Sequence, residues 1–144
     1  MRIDQFKQIA GKAANFDLPA TDEEIKQCQE DLYILDLPPI PQEYVDFLRQ
    51  CNGFSDGGDQ CFFGTETELT KKYKQGHIVS ANQYEFHMDF FIREKKLHIG
   101  TGGEDLFVYN AVNGCYEVLD ETGLDVYKSF ETFEELFRYV NKRW

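Results

Sequence analysis

Leu37-Pro38-Pro39-Ile40-Pro41-Gln42-Glu43-Tyr44-Val45-Asp46-Phe47-Leu48-Arg49-Gln50-Cys51-Asn52-Gly53 carries the clearest local signal in the chain. Pro38 and Pro39 cannot sit inside a helix, whereas Pro41 fits a first helical turn, where its missing N–H would have had no intrahelical partner. A helix is therefore expected to begin near Pro41. Tyr44, Phe47, Leu48 and Cys51 then recur at i, i+3, i+4 and i+7, which puts four apolar side chains on one face, with Val45 flanking the stripe. That face must be buried. Asn52 and Gly53 supply a left-handed stop, because Gly takes a positive φ without a Cβ penalty and Asn tolerates one.

Working outward, Thr21-Asp22-Glu23-Glu24 forms a capping box ahead of a helix through Ile25, Cys28, Leu32 and Leu35, halted at Leu37-Pro38. Upstream, Ile3, Phe6, Ile9 or Ala10, and Ala13 mark a short amphipathic helix within residues 2–14, ending before Asn15. Downstream, Phe54 to Gln60 reads as a loop, Cys61-Phe62-Phe63 as a strand ended by Gly64, and Thr65 with Glu66 to Leu69 as a short helical or irregular stretch. Lys71, Lys72 and Lys74 make one basic cluster, read as a solvated face. His77 to Met88 suits a helix, with Asp89 to Phe91 ending it and Arg93 to Lys96 turning.

From Leu97 the apolar period becomes two. Leu97 to Gly100, Leu106 to Asn110 and Cys115 to Leu119 read as strands, the last with Tyr116 and Val118 on one face and Cys115, Glu117 and Leu119 on the other. Thr101 to Glu104 turns between the first two. Asn113-Gly114 signals a two-residue type I′ hairpin, since both of its central residues need a positive φ. Asp120 to Asp125 turns, Val126 to Ser129 extends, and a last helix starts near Thr132. There Thr132 and Glu135 form a second capping box, and Phe133, Leu136, Phe137 and Val140 form the buried stripe. The expectation is a single α+β domain over residues 1–144, an antiparallel sheet of about five to six strands flanked by helices.

The chain has 144 residues, enough for one domain that buries about two thirds of its unfolded surface. Its 13 Phe and 8 Tyr supply large core side chains. A net charge of −11 argues against binding a nucleic-acid backbone or an anionic membrane, both of which it would repel. From Glu104 to Glu135 nine carboxylates face the single cation Lys128. Two readings stay open: an acidic surface serving solubility, or one that draws in a cationic protein. Cys28, Cys51, Cys61 and Cys115 show no C-x-x-C spacing and read as small buried hydrophobes. The first residues hold no apolar leader and no run reaches membrane-spanning length, so a cytoplasmic location is expected.

Catalytic patterns are hard to place. His77, His87 and His98 make no H-E-x-x-H or short metal pair. Asp56-Gly57-Gly58-Asp59 lacks the alternating ligands and closing Glu of a calcium loop. Gly100-x-Gly102 begins a dinucleotide-like pattern, but Asp105 stands where a Gly is needed. Glu104-Asp105 and Asp120-Glu121 are adjacent carboxylates in expected turns, where solvation holds them ordinary. No enzyme activity, cofactor or metal is expected.

Leu37-Pro38, Pro41, Tyr44, Phe47-Leu48 and Asn52-Gly53, followed by Phe63-Gly64, Ile99-Gly100, Gly103 to Tyr109 and Ser129-Phe130-Glu131, together resemble the SUKH superfamily. That group comprises immunity proteins of bacterial polymorphic toxin systems and related cell-wall-assembly-regulator-like domains. The resemblance spans roughly Asp22 to Val140, and it implies that Leu37, Pro38, Tyr44, Phe47, Leu48, Asn52, Gly53, Gly64 and Gly100 determine the fold. It also implies a non-enzymatic protein-binding domain, an immunity protein that occludes a cognate toxin. A basic toxin domain such as a nuclease is the expected partner. A regulatory or scaffold module with no toxin partner is the alternative, and a small hydrolase or ligand-binding domain a third. From charge and loop position, Asp56, Asp59, Glu104, Asp105, Asp120 and Glu121 are the candidate partner contacts, and the oligomeric state is left open.

Overall fold

Among the described residues seven antiparallel strands, each paired with its neighbours in sequence, form one open sheet. They are β1 (Asn15–Phe16), β2 (Phe54–Ser55), β3 (Gln60–Phe62), β4 (Lys96–Gly102), β5 (Asp105–Asn110), β6 (Cys115–Asp120) and β7 (Val126–Phe130). The computed structural model describes residues 1–65, 77–84 and 87–142, without the side chain of Tyr84. Its helices are α1 (Ile3–Ile9), α2 (Asp22–Ile34), α3 (Gln42–Leu48), α4 (Ile78–Tyr84), α5 (Met88–Glu94) and α6 (Phe133–Val140). The fold class is α+β, as expected. The basic cluster at Lys71, Lys72 and Lys74, the stretch Glu66 to Leu69, and Glu85 and Phe86 lie outside the described residues.

Helix starts follow their capping signals. Thr21 Oγ1 accepts from the Glu24 N–H at 3.1 Å while Glu24 Oε1 accepts from the Thr21 N–H at 2.8 Å, satisfying donors that the first turn of α2 leaves open. Thr132 Oγ1 likewise accepts from the Glu135 N–H, but its hydroxyl, rather than its backbone, returns the bond to Glu135 Oε1. Pro41 sits at the N-cap of α3, one position before the expected one, in the extended conformation that a residue ahead of a helix adopts. Its buried stripe is as expected: Tyr44, Phe47, Leu48 and Cys51 are all buried.

Cross-strand register assigns the two faces of the sheet, since directly opposed residues share a face. Phe107, opposite Gly100, lies on the face covered by α1, α3 and α6, where Phe62 stands 5.5 Å from it between ring centroids. Phe6, Phe47, Phe62, Phe133 and Phe137 pack there ring against ring, with Phe47 and Phe133 at 4.9 Å. A bulge between His98 and Gly100 turns the earlier half of β4 over, so His98, opposite Val108, faces Phe91 of α5 instead. Both faces of β4 to β6 are therefore buried, and Tyr116 and Glu117 point to opposite sides as their alternation predicts.

The motif residues act through backbone contacts. Tyr44 is fully buried, and its hydroxyl donates to the Phe63 carbonyl oxygen, with the Ile99 carbonyl 3.3 Å away, tying α3 to β4. Burial of that phenol pushes its pKa well above the usual tyrosine value. Asn52 Oδ1 accepts from the Thr65 N–H at 2.7 Å and its Nδ2 donates to Thr65 Oγ1 at 2.9 Å. This clamp brings Gly64 onto Asn52: a Cβ on Gly64 would lie 2.2 Å from the Asn52 carbonyl oxygen. At Gly100 a Cβ would lie 2.5 Å from the Cys61 carbonyl oxygen, so β3 and β4 approach there only because position 100 is glycine.

Five local expectations need correction. The sheet has seven strands among the described residues rather than five to six, because β1 and β2 are two residues each and too short to show a period. Phe54 to Gln60 is accordingly a hairpin, β2 with β3, and not a plain loop. Helix α3 ends at Leu48, ahead of Asn52-Gly53, because the Leu48 carbonyl accepts from Ala20 N–H and the Asn52 N–H turns to Leu18; Gly53 still takes φ +119°. A helix, α5, occupies Met88–Glu94, where an ending was expected; it stops at Lys95 in a left-handed conformation. The Asn113-Gly114 hairpin closes through residues 111–114, with Gly114 alone at positive φ. Asn110 explains this, since its Oδ1 accepts from the N–H groups of Val112 and Asn113 and builds a longer turn.

Candidate functional site

Three turns meet at one end of the sheet. Gln60 pairs with Gly102, Gly102 with Asp105, and Asp105 with Asp120, so residues 56–59, Gly103-Glu104 and residues 121–125 project from the same edge. The Glu121 N–H donates to the Glu104 carbonyl oxygen at 2.9 Å, joining two of these turns directly. Gly103, at φ +57°, would place a Cβ 3.2 Å from Asp59 Oδ2, which brings the third turn alongside. Five of the six residues singled out by charge, Asp59, Glu104, Asp105, Asp120 and Glu121, therefore cluster. Asp125, outside that set, joins them: Asp120 Oδ2 and Asp125 Oδ2 both flank Gly123.

Asp56 is the exception. It is 3 % exposed, and its carboxylate accepts from the Gly58 N–H at 2.7 Å and from the Gln60 N–H and Nε2, each at 3.2 Å. Its charge is spent on closing the β2–β3 turn, as Asx turns do, and is not offered to a partner. In contrast, Asp59, Glu104, Glu121 and Asp125 are exposed, and Asp105 and Asp120 half-buried. Among the described residues none of these six forms an ion pair. Tyr127 of β7 donates to Asp105 Oδ1, and the Thr122 N–H donates to Asp120 Oδ1 at 2.9 Å, so one carboxylate is oriented from β7 and the other by its own turn. Partial desolvation, followed by that hydrogen bond to Asp105, raises the Tyr127 pKa above the ordinary range and keeps it a donor.

The histidines serve the interior. His77 is buried with a ring nitrogen 2.8 Å from Ser80 Oγ. His98 is 1 % exposed, and among the described residues neither ring nitrogen has a hydrogen-bond partner within normal geometry; Phe63 and Phe91 enclose it at 5.0 Å and 5.5 Å. Burial pushes its pKa from 6.5 down to about 4. The unfolded chain therefore binds a proton that the folded one refuses, and stability contributed by neutral His98 above pH 6.5 is lost as pH falls through about 4. The expected loss is about 3 kcal/mol across that window. Urea unfolding of the native chain and of His98→Leu at several pH values should diverge there; parallel curves would contradict this.

Among the described residues no group of three or more His, Cys, Asp or Glu side chains is placed to hold a metal ion. No disulfide joins the cysteines among the described residues; Cys28 and Cys51 are buried as expected, whereas Cys61 and Cys115 are only half-buried. A second ionisable group is hidden under α5: Lys96 Nζ lies 2.8 Å from Glu117 Oε1, a contact off the line of a hydrogen bond, with side chains 10 % and 8 % exposed. Asn110 Nδ2 donates to the other Glu117 oxygen at 3.1 Å and Phe90 covers Lys96 at 5.6 Å. Nothing in the sequence flagged this pair, because Lys96 and Glu117 meet only across β5. No described helix is long and apolar enough to cross a membrane.

The sequence model of the SMI1 / KNR4 family (SUKH-1) matches residues 19–138. The chain belongs to that family. The match takes in the Tyr44 anchor, the Asn52–Thr65 clamp, both close-approach glycines and all three acidic turns of this SUKH-1 domain. No curated protein matches the chain.

Proposed function

We propose that this SUKH-1 domain is a cytoplasmic, non-enzymatic binding protein that neutralises a cognate bacterial toxin by covering its active site. The observation that carries this reading is the clustering of Asp59, Glu104, Asp105, Asp120, Glu121 and Asp125 at one end of the sheet with no cation paired to them among the described residues. The complementary partner is a basic protein domain such as a nuclease, whose own groove is cationic because its substrate is a polyphosphate. Opposite charge accelerates encounter and orients it, while affinity comes from a few desolvated anchors. The same −11 charge opposes direct binding of nucleic acid or an anionic membrane.

Co-expression with candidate nuclease toxins tests this reading. Growth rescue from one toxin is expected, together with its loss when Asp59→Asn, Glu104→Gln, Asp120→Asn and Glu121→Gln are combined. A second reading, a regulatory or scaffold module, draws on Tyr33 and Ile34 of α2, large apolar side chains that stand exposed. Absence of rescue with every toxin, alongside a stable complex with a housekeeping protein, would favour that module and overturn the immunity reading.

A further inference from the structure

β7 is the last strand of the sheet, and among the described residues it pairs on one side only, with β6. Its outward N–H and C=O groups are a template for another strand. Val126 and Tyr127 are 44 % and 49 % exposed, and the strand remains exposed through Ser129. Lys128 sits at the centre of this edge. In a two-fold antiparallel pairing centred there, Lys128 would face its own copy, a like-charge pair that disfavours self-association. A strand bearing a carboxylate at that position would gain where the copy loses.

The surroundings point the same way. Lys128 lies opposite Val118, which sits two residues from Tyr116 on the α6 face, and it opens on a groove of about 740 Å3 between α1, β7 and α6. Lys128, Arg138 and Lys142 line the groove against one carboxylate, Glu135, with Gln5 and Gln8 on its far wall. Arg138 also meets Glu134 at 3.0 Å, which leaves the lining cationic on balance in a chain of charge −11. The side-chain amides of Gln5 and Gln8 can both donate and accept, which suits an extended peptide backbone.

We propose that β7 and this groove accept an extended acidic segment of a partner protein as an eighth strand, with a carboxylate of that segment opposite Lys128. The proposal rests on the reading of the chain as a protein-binding domain, but it concerns the β7 edge and its groove rather than the acidic turns, of which residues 121–125 lead into β7. Its main-chain bonds would supply affinity and the carboxylate would select the register.

The test uses the full chain and two synthetic peptides of about nine residues, valine alternating with glutamate in one and with lysine in the other. Binding is read by fluorescence anisotropy, and its location by amide hydrogen exchange. The glutamate peptide is expected to bind and to slow exchange in β7, with at least tenfold weaker binding to Lys128→Glu. The combined Asp59→Asn, Glu104→Gln, Asp120→Asn and Glu121→Gln variant should bind it at least as well as the native chain, so failure of the edge proposal and failure of the toxin reading are distinguishable. Equal binding of both peptides, no binding of either, an unchanged affinity in Lys128→Glu, or a sedimenting dimer that protects β7 without peptide would each overturn the proposal.

Discussion

Lys96→Met is expected to destabilise the chain by about 3–5 kcal/mol, because it strands the Glu117 carboxylate in a site that excludes water. Lys96 and Glu117 are drawn together across β5, beneath Phe90 of α5, and the pair is held in place by Asn110, whose other amide atom builds the β5–β6 turn. Removing one charge therefore leaves the other without its partner, whereas removing both removes the penalty. The double variant Lys96→Met, Glu117→Gln should recover most of the loss, since the amide introduced at position 117 would still accept from Asn110 without a buried charge. Urea denaturation at pH 7 gives both values from shifts in midpoint at constant slope. A coupling of about 2–3 kcal/mol in the double-mutant cycle is expected. Additive effects would mean that the two side chains do not interact.

Gly64→Ala is expected to cost about 3 kcal/mol or more, and its cause is steric and not conformational. The added Cβ would stand 2.2 Å from the Asn52 carbonyl oxygen and 2.6 Å from Asn52 Oδ1. Neither atom is free to retreat, because the Asn52 side chain is bonded twice to Thr65 and the Asn52 N–H is bonded to Leu18. Gly58→Ala serves as the control: its Cβ meets only the Asp56 carboxylate, at 3.3 Å, and a change within about 1 kcal/mol is expected. Thermal unfolding of the two variants side by side checks the contrast. Equal melting temperatures would remove the close approach as the reason for glycine at position 64.

The parts of this fold legible in the sequence are those set by local chemistry. The Thr21 and Thr132 caps, the stripes of α3 and α6 and the alternation of β6 depend on neighbours three or four residues apart, or two in a strand, and appear where expected. What long-range partners decide was not legible. The Leu48 carbonyl and the Asn52 N–H end α3 early by bonding residues 18–20, which no window around Gly53 contains. The strands β1 and β2 exist because a sheet edge was available for two residues at a time.

The same distinction holds at the site. Charge and turn position picked out five carboxylates that the register of β3 to β6 brings to one edge. They failed at Asp56, whose Asp-Gly-Gly context reads as an exposed turn but whose carboxylate folds inward onto Gly58 and Gln60. Asp125 was visible as charge, but only the β6–β7 turn places it beside Asp120. The exposed edge of β7 left no trace in composition, since a strand in the interior and one at the margin share the same short pattern.

The most direct measurement of the proposed docking is the stopped-flow association rate of the chain with a basic toxin domain from which it rescues growth, taken across ionic strength. Steering by the acidic end predicts a rate that falls steeply as salt rises, and a combined neutral variant at Asp59, Glu104, Asp120 and Glu121 that starts about tenfold or more slower and responds weakly to salt. A rate indifferent to salt, identical in the native chain and the neutral variant, would contradict it.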